Sequence, residues 1–449
     1  MQPTNPRIDH LERRLVEAFD QLWNDFVDPS DALYDVDGTR WNLLGSGGAL
    51  GAATGQAVID QQQLGEIRAQ CRALAVTNEF AINGHENRVS YIVGSGHRYR
   101  VVPKPRRDVS EELVAGAKAV IDDFLQDNHW HKRQQEIVRR KDRDGECFLR
   151  FFSAADGSVR VRFVEPDQVA TPPAAASLPH HGLGVITSPS DVETVDAYYV
   201  DGQAIDAAEI QHRKANVDGN VRRGLPLFYP VRKNLRRAEK LLRNMSIVAE
   251  IQSAIAIIRK HRSATAAGLE QFVADGADLS VADQTTGRTT HFRRYGPGTI
   301  LDAAAGTDYE FPAAGIDAAK FVVVLQAELR AIASRLVMPE FMLTSDASNA
   351  NYSSTMVAEG PAVKMFERLQ HEMIEDDREV IRRVLSASVE AGRLPPETLT
   401  AIDVQIIPPT LAVRDRLKDA QADQILVRNG AMPPETMALR HGLEPVSAP

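Results

Sequence analysis

Residues 338–370 read MPEFMLTSDASNANYSSTMVAEGPAVKMFERLQ, and this stretch sets a helix, a polar loop and a second helix in succession. Pro339 ends the apolar run before it, because proline lacks a backbone N–H and holds the preceding residue away from helical geometry. Thr344 to Asn351 is rich in Ser, Asp and Asn, whose side chains bond their own backbone and favour turns. Ser353 or Ser354 can cap the helix that follows, although Met356 and Val357 stand where a capping box would place Glu or Gln. The loop has no basic residue and no catalytic motif, so it is polar without being catalytic and needs water or a partner.

Helical patterns flank this loop over 316–337 and 353–391, and Val404 to Ile407 is a short apolar strand closed by Pro408-Pro409. The tail is helical again from Arg414, with Gly430 and Pro433-Pro434 as breaks. Upstream, Leu227 to Lys260 reads as one long helix without glycine, interrupted early only by Pro230. Its first part is strongly basic. Arg222, Arg223, Arg232, Lys233, Arg236, Arg237, Lys240 and Arg243 stand against one acid, Glu239. Its second half, Ile247 to Ile258, is apolar on several faces, the pattern of a helix buried among neighbours. Between the two long helices, residues 263–314 shift to Ala, Gly, Thr and Asp, with strand candidates at Thr289 to Arg293 and Thr307 to Phe311. That segment reads as a small separate module.

Nearer the amino terminus the chain is mixed. Residues 8–28 carry Leu11, Leu15, Phe19, Leu22 and Phe26 at helical spacing, and further helical patterns cover 61–83 and 110–140. Strands at Glu146 to Phe152 and Ser158 to Val164 flank Asp156-Gly157, a hairpin signal. Val195 to Val200 and Gln203 to Ile205 flank Asp201-Gly202 in the same way. Residues 170–190, rich in Pro, Ala and Gly, read as irregular. The fold class expected is α+β.

At 449 residues the chain exceeds what one core usually holds. Its composition, 43% hydrophobic and 25% charged, is that of an ordinary globular protein. The longest apolar runs are too short to span a bilayer, and MQPTNPRIDHLERRL has no secretory pattern, so neither membrane nor export is expected. Cys71 and Cys147 read as buried free thiols in a reducing compartment. The net charge of −9 argues against tight general binding of nucleic acid.

Candidate chemistry is sparse. The run Gly45 to Gly51 matches neither phosphate-loop pattern, because Leu50 occupies the last glycine's place of one. His129 and His131 at i and i+2 point apart on a helix and would chelate poorly, and His180-His181 forms no ligand spacing. There is no HExxH, paired CxxC, calcium loop or GxSxG elbow, so no metal, cofactor or catalytic set is expected. Glu372, Glu375, Asp376 and Asp377 beside Arg378, Arg382 and Arg383 read as a salt-bridged helix face. Around Arg236 the basic run admits a solvated face, a docking surface for an acidic region of a neighbour, or phosphate contact.

The chain resembles the portal proteins of tailed bacteriophages, especially the lambda-type group. An apolar helix, a Pro-containing break, the Asn351-Tyr352-Ser353-Ser354 turn and a helix with Glu359 and Gln370 follow that group's order. Arg68, Cys71, Arg72 and Leu74, then Asn78, then Tyr91 to Gly94 with Gly96, resemble its amino-terminal pattern. Asp144-Gly-Glu-Cys147 with Val164-Glu-Pro166, and Tyr295-Gly-Pro-Gly298 with Gly306, Tyr309, Glu310 and Phe311, resemble two further segments of the group.

The resemblance implies a wing over 1–225, a first stem helix over 226–262, a clip over 263–314 and a second stem helix over 315–337. A tunnel loop over 338–353, a long helix returning to the wing over 354–411 and a short crown over 412–449 complete it. The loop residues Thr344, Ser345, Asp346, Ser348, Asn349, Asn351 and Tyr352 would then line a channel for double-stranded DNA, with Tyr352 packing at the loop's base. The resemblance further implies a non-enzymatic ring of twelve copies at a capsid vertex, assembled in the host cytoplasm. Its partners would be the terminase large subunit, the major capsid protein and head-completion or tail adaptor proteins. Twelve copies would sum to a charge of roughly −100, a repulsive lining for a phosphate backbone. Two rivals stand beside it: an intracellular α/β hydrolase or nuclease with dispersed site residues, for which the loop is a lid, and another head structural protein such as a connector.

Overall fold

The computed structural model describes residues 61–105, 107, 109–260, 279–282, 289–292, 299–303, 318–346, 352–411, 416–441 and 443. The helix expected over 8–28, the glycine-rich run 45–51 and the strand expected at Thr307 to Phe311 lie outside them. The chain mixes helix and sheet, as expected for α+β, and divides into two units, Met1–Lys233 with Ala333–Pro449, and Asn234–Ile332.

In the first unit, α1 (Gln61–Thr77) and α2 (Glu79–Ile92) replace the single helix expected over 61–83. Asn78 divides them: its side chain accepts the Ala81 N–H at 3.1 Å and caps α2. After β1 (Arg98–Pro103), Ser110 caps α3 (Glu111–Asp127). The pattern expected to run to 140 breaks at Asn128 and His129, the latter at φ 49°, before α4 (Trp130–Asp144).

The hairpin expected around Asp156-Gly157 is present as β2 (Glu146–Ser153) and β3 (Val159–Val164). The irregular 170–190 segment contains β4 (His181–Gly182) and β5 (Val185–Ser188). The second expected hairpin is β6 (Asp191–Val200) with β7 (Gln203–Asp206), and β8 (Ile210–Lys214) follows. Sheet orders are β3-β2-β8 and β4-β5-β6-β7. Among the described residues no strand pairs with the outer edge of β3. There the Asn128 side chain accepts the Val161 N–H at 2.8 Å and donates to the Val159 carbonyl at 2.9 Å, standing in for a neighbouring backbone.

The helix expected from Leu227 to Lys260 is shorter. A turn over Tyr229–Val231 leads into α5 (Arg232–Ala254), and Ile255–Lys260 forms β9. The Ile-Ala-Ile-Ile run of β9 is rich in β-branched residues, which suit an extended pleat. It pairs in parallel with a later strand, described below, and Ile247, expected to be buried, is 46% exposed.

The second unit holds the middle of this chain. After β9 come β10 (Leu279–Ala282) and β11 (Thr289–Phe292), paired antiparallel, then β12 (Thr299–Ala303), the parallel partner of β9. Helix α6 (Ala318–Leu336) follows. Within this unit Asn234 of α5 donates to Glu328 of α6 at 2.6 Å, and Leu235, Ala238, Leu329 and Ile332 are buried.

Back in the first unit, α7 (Glu340–Thr344) precedes α8 (Tyr352–Glu390), which starts one residue ahead of the expected serine caps. Helix α8 continues through Pro361, where one ladder hydrogen bond to Val357 is absent because proline has no N–H. A short helix α9 (Thr398–Ala401) leads into β13 (Ile402–Ile407), which pairs antiparallel with β1, and α10 (Arg416–Arg428) and α11 (Pro434–Arg440) end the described chain. The main core gathers one face of α8 with α2, α3, α4, the inner face of β2 and β3, and β13. Trp130, Ile137, Leu149 and Phe366 are at most 1% exposed, each contributing about 1.5–3 kcal/mol of burial.

Candidate functional site

The polar loop begins at a tight corner. At the end of α6 the Val337 N–H bonds the Ser334 carbonyl at 3.2 Å and the Met338 N–H bonds the Ala333 carbonyl at 3.1 Å. These are the two bonds of a Schellman ending, whose turn residue is usually glycine. Here it is Val337 at φ 53°, a strained conformation for a β-branched side chain. Pro339 then opens α7, and Ser345 at φ 57° closes it. Arg335 fixes the corner's rear, donating to the Leu227 carbonyl at 3.1 Å, while the Leu227 N–H bonds the Asp142 carbonyl at 2.7 Å.

Two asparagines one turn apart on α2 hold the front. Asn83 donates to the carbonyls of Met342 and Leu343 at 3.0 and 2.7 Å, and Asn87 donates to Met342 at 3.0 Å. These carbonyls lie at the end of α7, where no further helical turn would satisfy them. Close approach is possible because Gly84 lies between: a Cβ there would stand 2.5 Å from Leu336 Cδ1 and 3.3 Å from Leu343 Cδ1. Thr344 donates to the Glu340 carbonyl at 3.0 Å and accepts the Asp346 N–H at 3.3 Å, while Ser345 and Asp346 are exposed. Of the predicted loop residues, Thr344 is therefore half-buried at the end of α7, and Ser345 and Asp346 follow it at the surface. Ser348, Asn349 and Asn351 lie outside the described residues, as does the side chain of Tyr352.

The helix leaving the loop is tied down by groups the sequence comparison singled out. Gln370 donates to the carbonyls of Tyr91 and Pro409, both at 2.9 Å, and Tyr91 stacks on Phe366 with centroids 4.8 Å apart. Two helical turns further along, Asp377 is fully buried. Its carboxylate accepts from Arg213 at 3.0 Å, Tyr99 at 2.7 Å and Gln134 at 2.6 Å. The expected salt-bridged helix face is present at Glu375, which pairs with Arg378 at the surface, and is corrected at Asp377, which pairs with Arg213 in the core. Arg213, though buried, keeps a raised pKa, because Asp376 and Asp377 outweigh the desolvation that would lower it.

A second buried hub joins the other motif segments. Arg68 and Arg223 both reach Glu146, at 2.5 and 2.6 Å, and all three side chains are 0% exposed. Burial alone would raise the Glu146 carboxyl, but Arg223 and Arg68 reverse this and hold it well below its usual range. Burial lowers Arg68 to about 10. His212 completes the hub, its Nε2 at 3.0 Å from Glu146. Arg72 bonds Asp144 at 2.6 Å and Asp167 at 2.5 Å. A third hub, Arg88 on Asp142 at 2.8 and 3.0 Å, lies behind the corner.

The basic run divides. Arg222 and Arg223 are buried, and Arg232 is 7% exposed with its guanidinium on the Tyr229 carbonyl, so these three are structural and not part of a basic surface. Lys233 is half-buried, whereas Arg236, Arg237, Lys240 and Arg243 are exposed. Arg237 comes within 3.9 Å of Glu328, and Arg243 within 3.3 Å of Glu239.

Cys71 and Cys147 are buried thiols not joined in a disulfide, as expected, and burial pushes the Cys147 thiol up to about 12. Among the described residues no group of His, Cys, Asp or Glu is arranged to hold a metal ion. No described helix is long and apolar enough to cross a membrane. Sequence reasoning missed Asn83 and Asn87; the available signal was a pair of poor helix formers spaced one turn apart inside a helical pattern.

Residues 185–370 match the family described as phage portal protein, lambda family. That segment contains α5, α6, the polar loop that follows α6 and the first half of α8, and it is the part of the chain that is similar to the lambda family of portal proteins. The motif segments at 68–96 and 144–166 precede the match, yet Arg223 reaches Glu146 and Gln370 reaches Tyr91 from within it.

Among solved structures, the neck of a native gene transfer agent particle is 17% identical with TM-score 0.41, over 84% of this chain and 94% of that one. An HK97 family phage portal protein from Corynebacterium diphtheriae is 11% identical with TM-score 0.33, over 75% of this chain and 95% of that one. At such TM-scores these likenesses carry no argument. No curated protein matches the chain.

Proposed function

We propose that this chain is the repeating, non-enzymatic subunit of a ring at one capsid vertex, through which double-stranded DNA is packaged and later released. The observation that carries the reading is the portal-family match across residues 185–370, spanning both long helices and the polar loop. In this reading 1–225 form the wing, 226–262 and 315–337 the stem, 263–314 the clip, 338–353 the tunnel loop, 354–411 the return to the wing and 412–449 the crown. The clip and its surroundings meet the terminase and later a tail adaptor; the outer wall meets the major capsid protein. The subunit assembles in the host cytoplasm and ends in the virion.

The loop tip suits transit of DNA. Thr344, Ser345, Asp346, Ser348, Asn349 and Asn351 offer neutral hydrogen bonds and an acid, which position a backbone without gripping it. Exposed Val322, Val323 and Val324 on α6 and Ile247 on α5 suit burial by neighbouring copies. The exposed basic residues of α5 serve as a solvated or subunit-facing surface. If they touch phosphate instead, replacing Arg236 and Arg237 together will lower DNA affinity and its salt dependence.

Negative-stain electron microscopy with native mass spectrometry tests the proposal. Rings with a central hole and about twelve subunits are expected. A compact monomer that hydrolyses DNA or a small ester would overturn it in favour of the enzyme reading.

A further inference from the structure

Charge is unevenly divided along the first unit. Residues 163–212 hold eight Asp and Glu and no Lys or Arg. This segment builds the four-stranded sheet β4-β5-β6-β7. At the free end of β6, Asp191, Val192, Glu193, Thr194 and Asp196 are all exposed, forming an acidic hairpin tip. Glu193 and Asp196 have no ion-pair partner among the described residues.

The opposite sign collects on the neighbouring sheet. In the β2–β3 register, Arg150 stands directly opposite Arg162, and Arg160 stands opposite Phe152. Directly opposed residues of an antiparallel pair share a face, and like charges in that position repel. That face is only partly covered. Phe148, Val164 and Ile210 pack under the four-stranded sheet in a small core, while Phe152 is 46% exposed and Arg160 and Arg162 are exposed. The Arg150 guanidinium lies 5.0 Å over Phe152 and reaches Glu209 at 3.0 Å. Neither Arg160 nor Arg162 has an ion-pair partner among the described residues. Arg162 spends one N–H on the adjacent Val161 carbonyl, and its charge lowers the pKa of nearby Arg133, after the larger effect of burial.

The chain thus carries an uncovered arginine and phenylalanine face that repels itself, and an exposed acidic tip whose own segment supplies no Lys or Arg, Lys214 of β8 being a cation that Glu193 feels without an ion pair. Two complementary surfaces on one chain that do not neutralise each other are what a head-to-tail contact between copies requires. We propose that the face formed by Arg150, Phe152, Arg160 and Arg162 receives the acidic β6 tip, centred on Glu193 and Asp196, of a second copy. The proposal rests on the ring reading above and names the contact that sets the order of neighbours.

The test is charge reversal in the full chain: R160E/R162E, E193K/D196K, and all four together, with circular dichroism confirming the fold of each. Because all four side chains are exposed, folding is expected to be preserved; R162Q and E193Q provide milder versions. Assembly is read by mass photometry at low and high salt. The wild-type chain is expected to assemble and to weaken as salt rises; each reversal should lower the assembled fraction about tenfold, and the fourfold variant should recover it. Wild-type assembly with indifferent reversals, or loss in both without recovery, overturns this contact and leaves the ring reading standing. A wild-type chain that stays monomeric at all concentrations overturns the ring reading and this contact with it. Binding of an unrelated acidic peptide or of DNA to the arginine face, unaffected by E193K/D196K, overturns the choice of partner.

Discussion

Arg223 meets Glu146 side-on, with Nε and Nη2 at 2.8 and 2.6 Å from Oε1. Its remaining N–H groups go to the carbonyls of Pro166, Val169 and Leu183. A single guanidinium thereby joins the start of β2, the turn after β3 and the approach to β5. Removing one member of a buried charged set strands the others, at a cost of about 3–5 kcal/mol. Glu146→Gln is expected to lower the urea midpoint by that equivalent. Glu375→Gln, which removes the exposed partner of Arg378, should cost under about 1 kcal/mol. Equal effects of the two substitutions would remove the hub from the account of stability.

Val337 predicts a change in the opposite direction. Its left-handed backbone costs on the order of 1–3 kcal/mol for a β-branched residue. Val337→Gly should raise the denaturation midpoint by about 1 kcal/mol at an unchanged denaturant slope. A lowered midpoint would mean that the corner is not strained.

His85, His97 and His212 all have pKa values below the ordinary histidine range, burial being the largest cause for each. The folded chain therefore takes up fewer protons than the unfolded one as pH falls. The stability these groups contribute is present above about pH 6.5, the unfolded value, and is lost as pH falls through their lower folded values. Unfolding measured from pH 8 to pH 5 should show stability declining below about 6.5, by up to about 1.4 kcal/mol per pH unit for each excess proton. His97→Gln should make that decline shallower. A flat profile would contradict the burial of these rings.

Asn83 and Asn87 are expected to govern the order of the loop tip. Each net hydrogen bond contributes about 0.5–1.5 kcal/mol. Replacing both with Ala should accelerate amide exchange over 340–346 by roughly tenfold, while leaving the middle of α8 unchanged. Unchanged exchange at 340–346 would show that the tip is held by other means.

Local features were legible in the sequence, and tertiary ones were not. Asp156-Gly157 and Asp201-Gly202 fix hairpins by their own turn geometry, so both hairpins were found. Pro339 likewise marked the break after α6. Asp377 could not be read, because Glu375, Asp376 and Asp377 look alike until Arg213 arrives from a distant strand. Val337 was hidden because its turn normally carries glycine. The strand at Ile255 looked like more helix because a short apolar run carries no decisive period.

In the ring proposed above, where copies would stand at high local concentration, Asn128 has a consequence. An open strand edge is a template on which identical chains can stack without limit, the route to fibrils. With its amide bonded to Val159 and Val161, Asn128 occupies that template on β3. Encounters between copies at this edge are therefore non-propagating, and growth is left to faces whose geometry can come to an end.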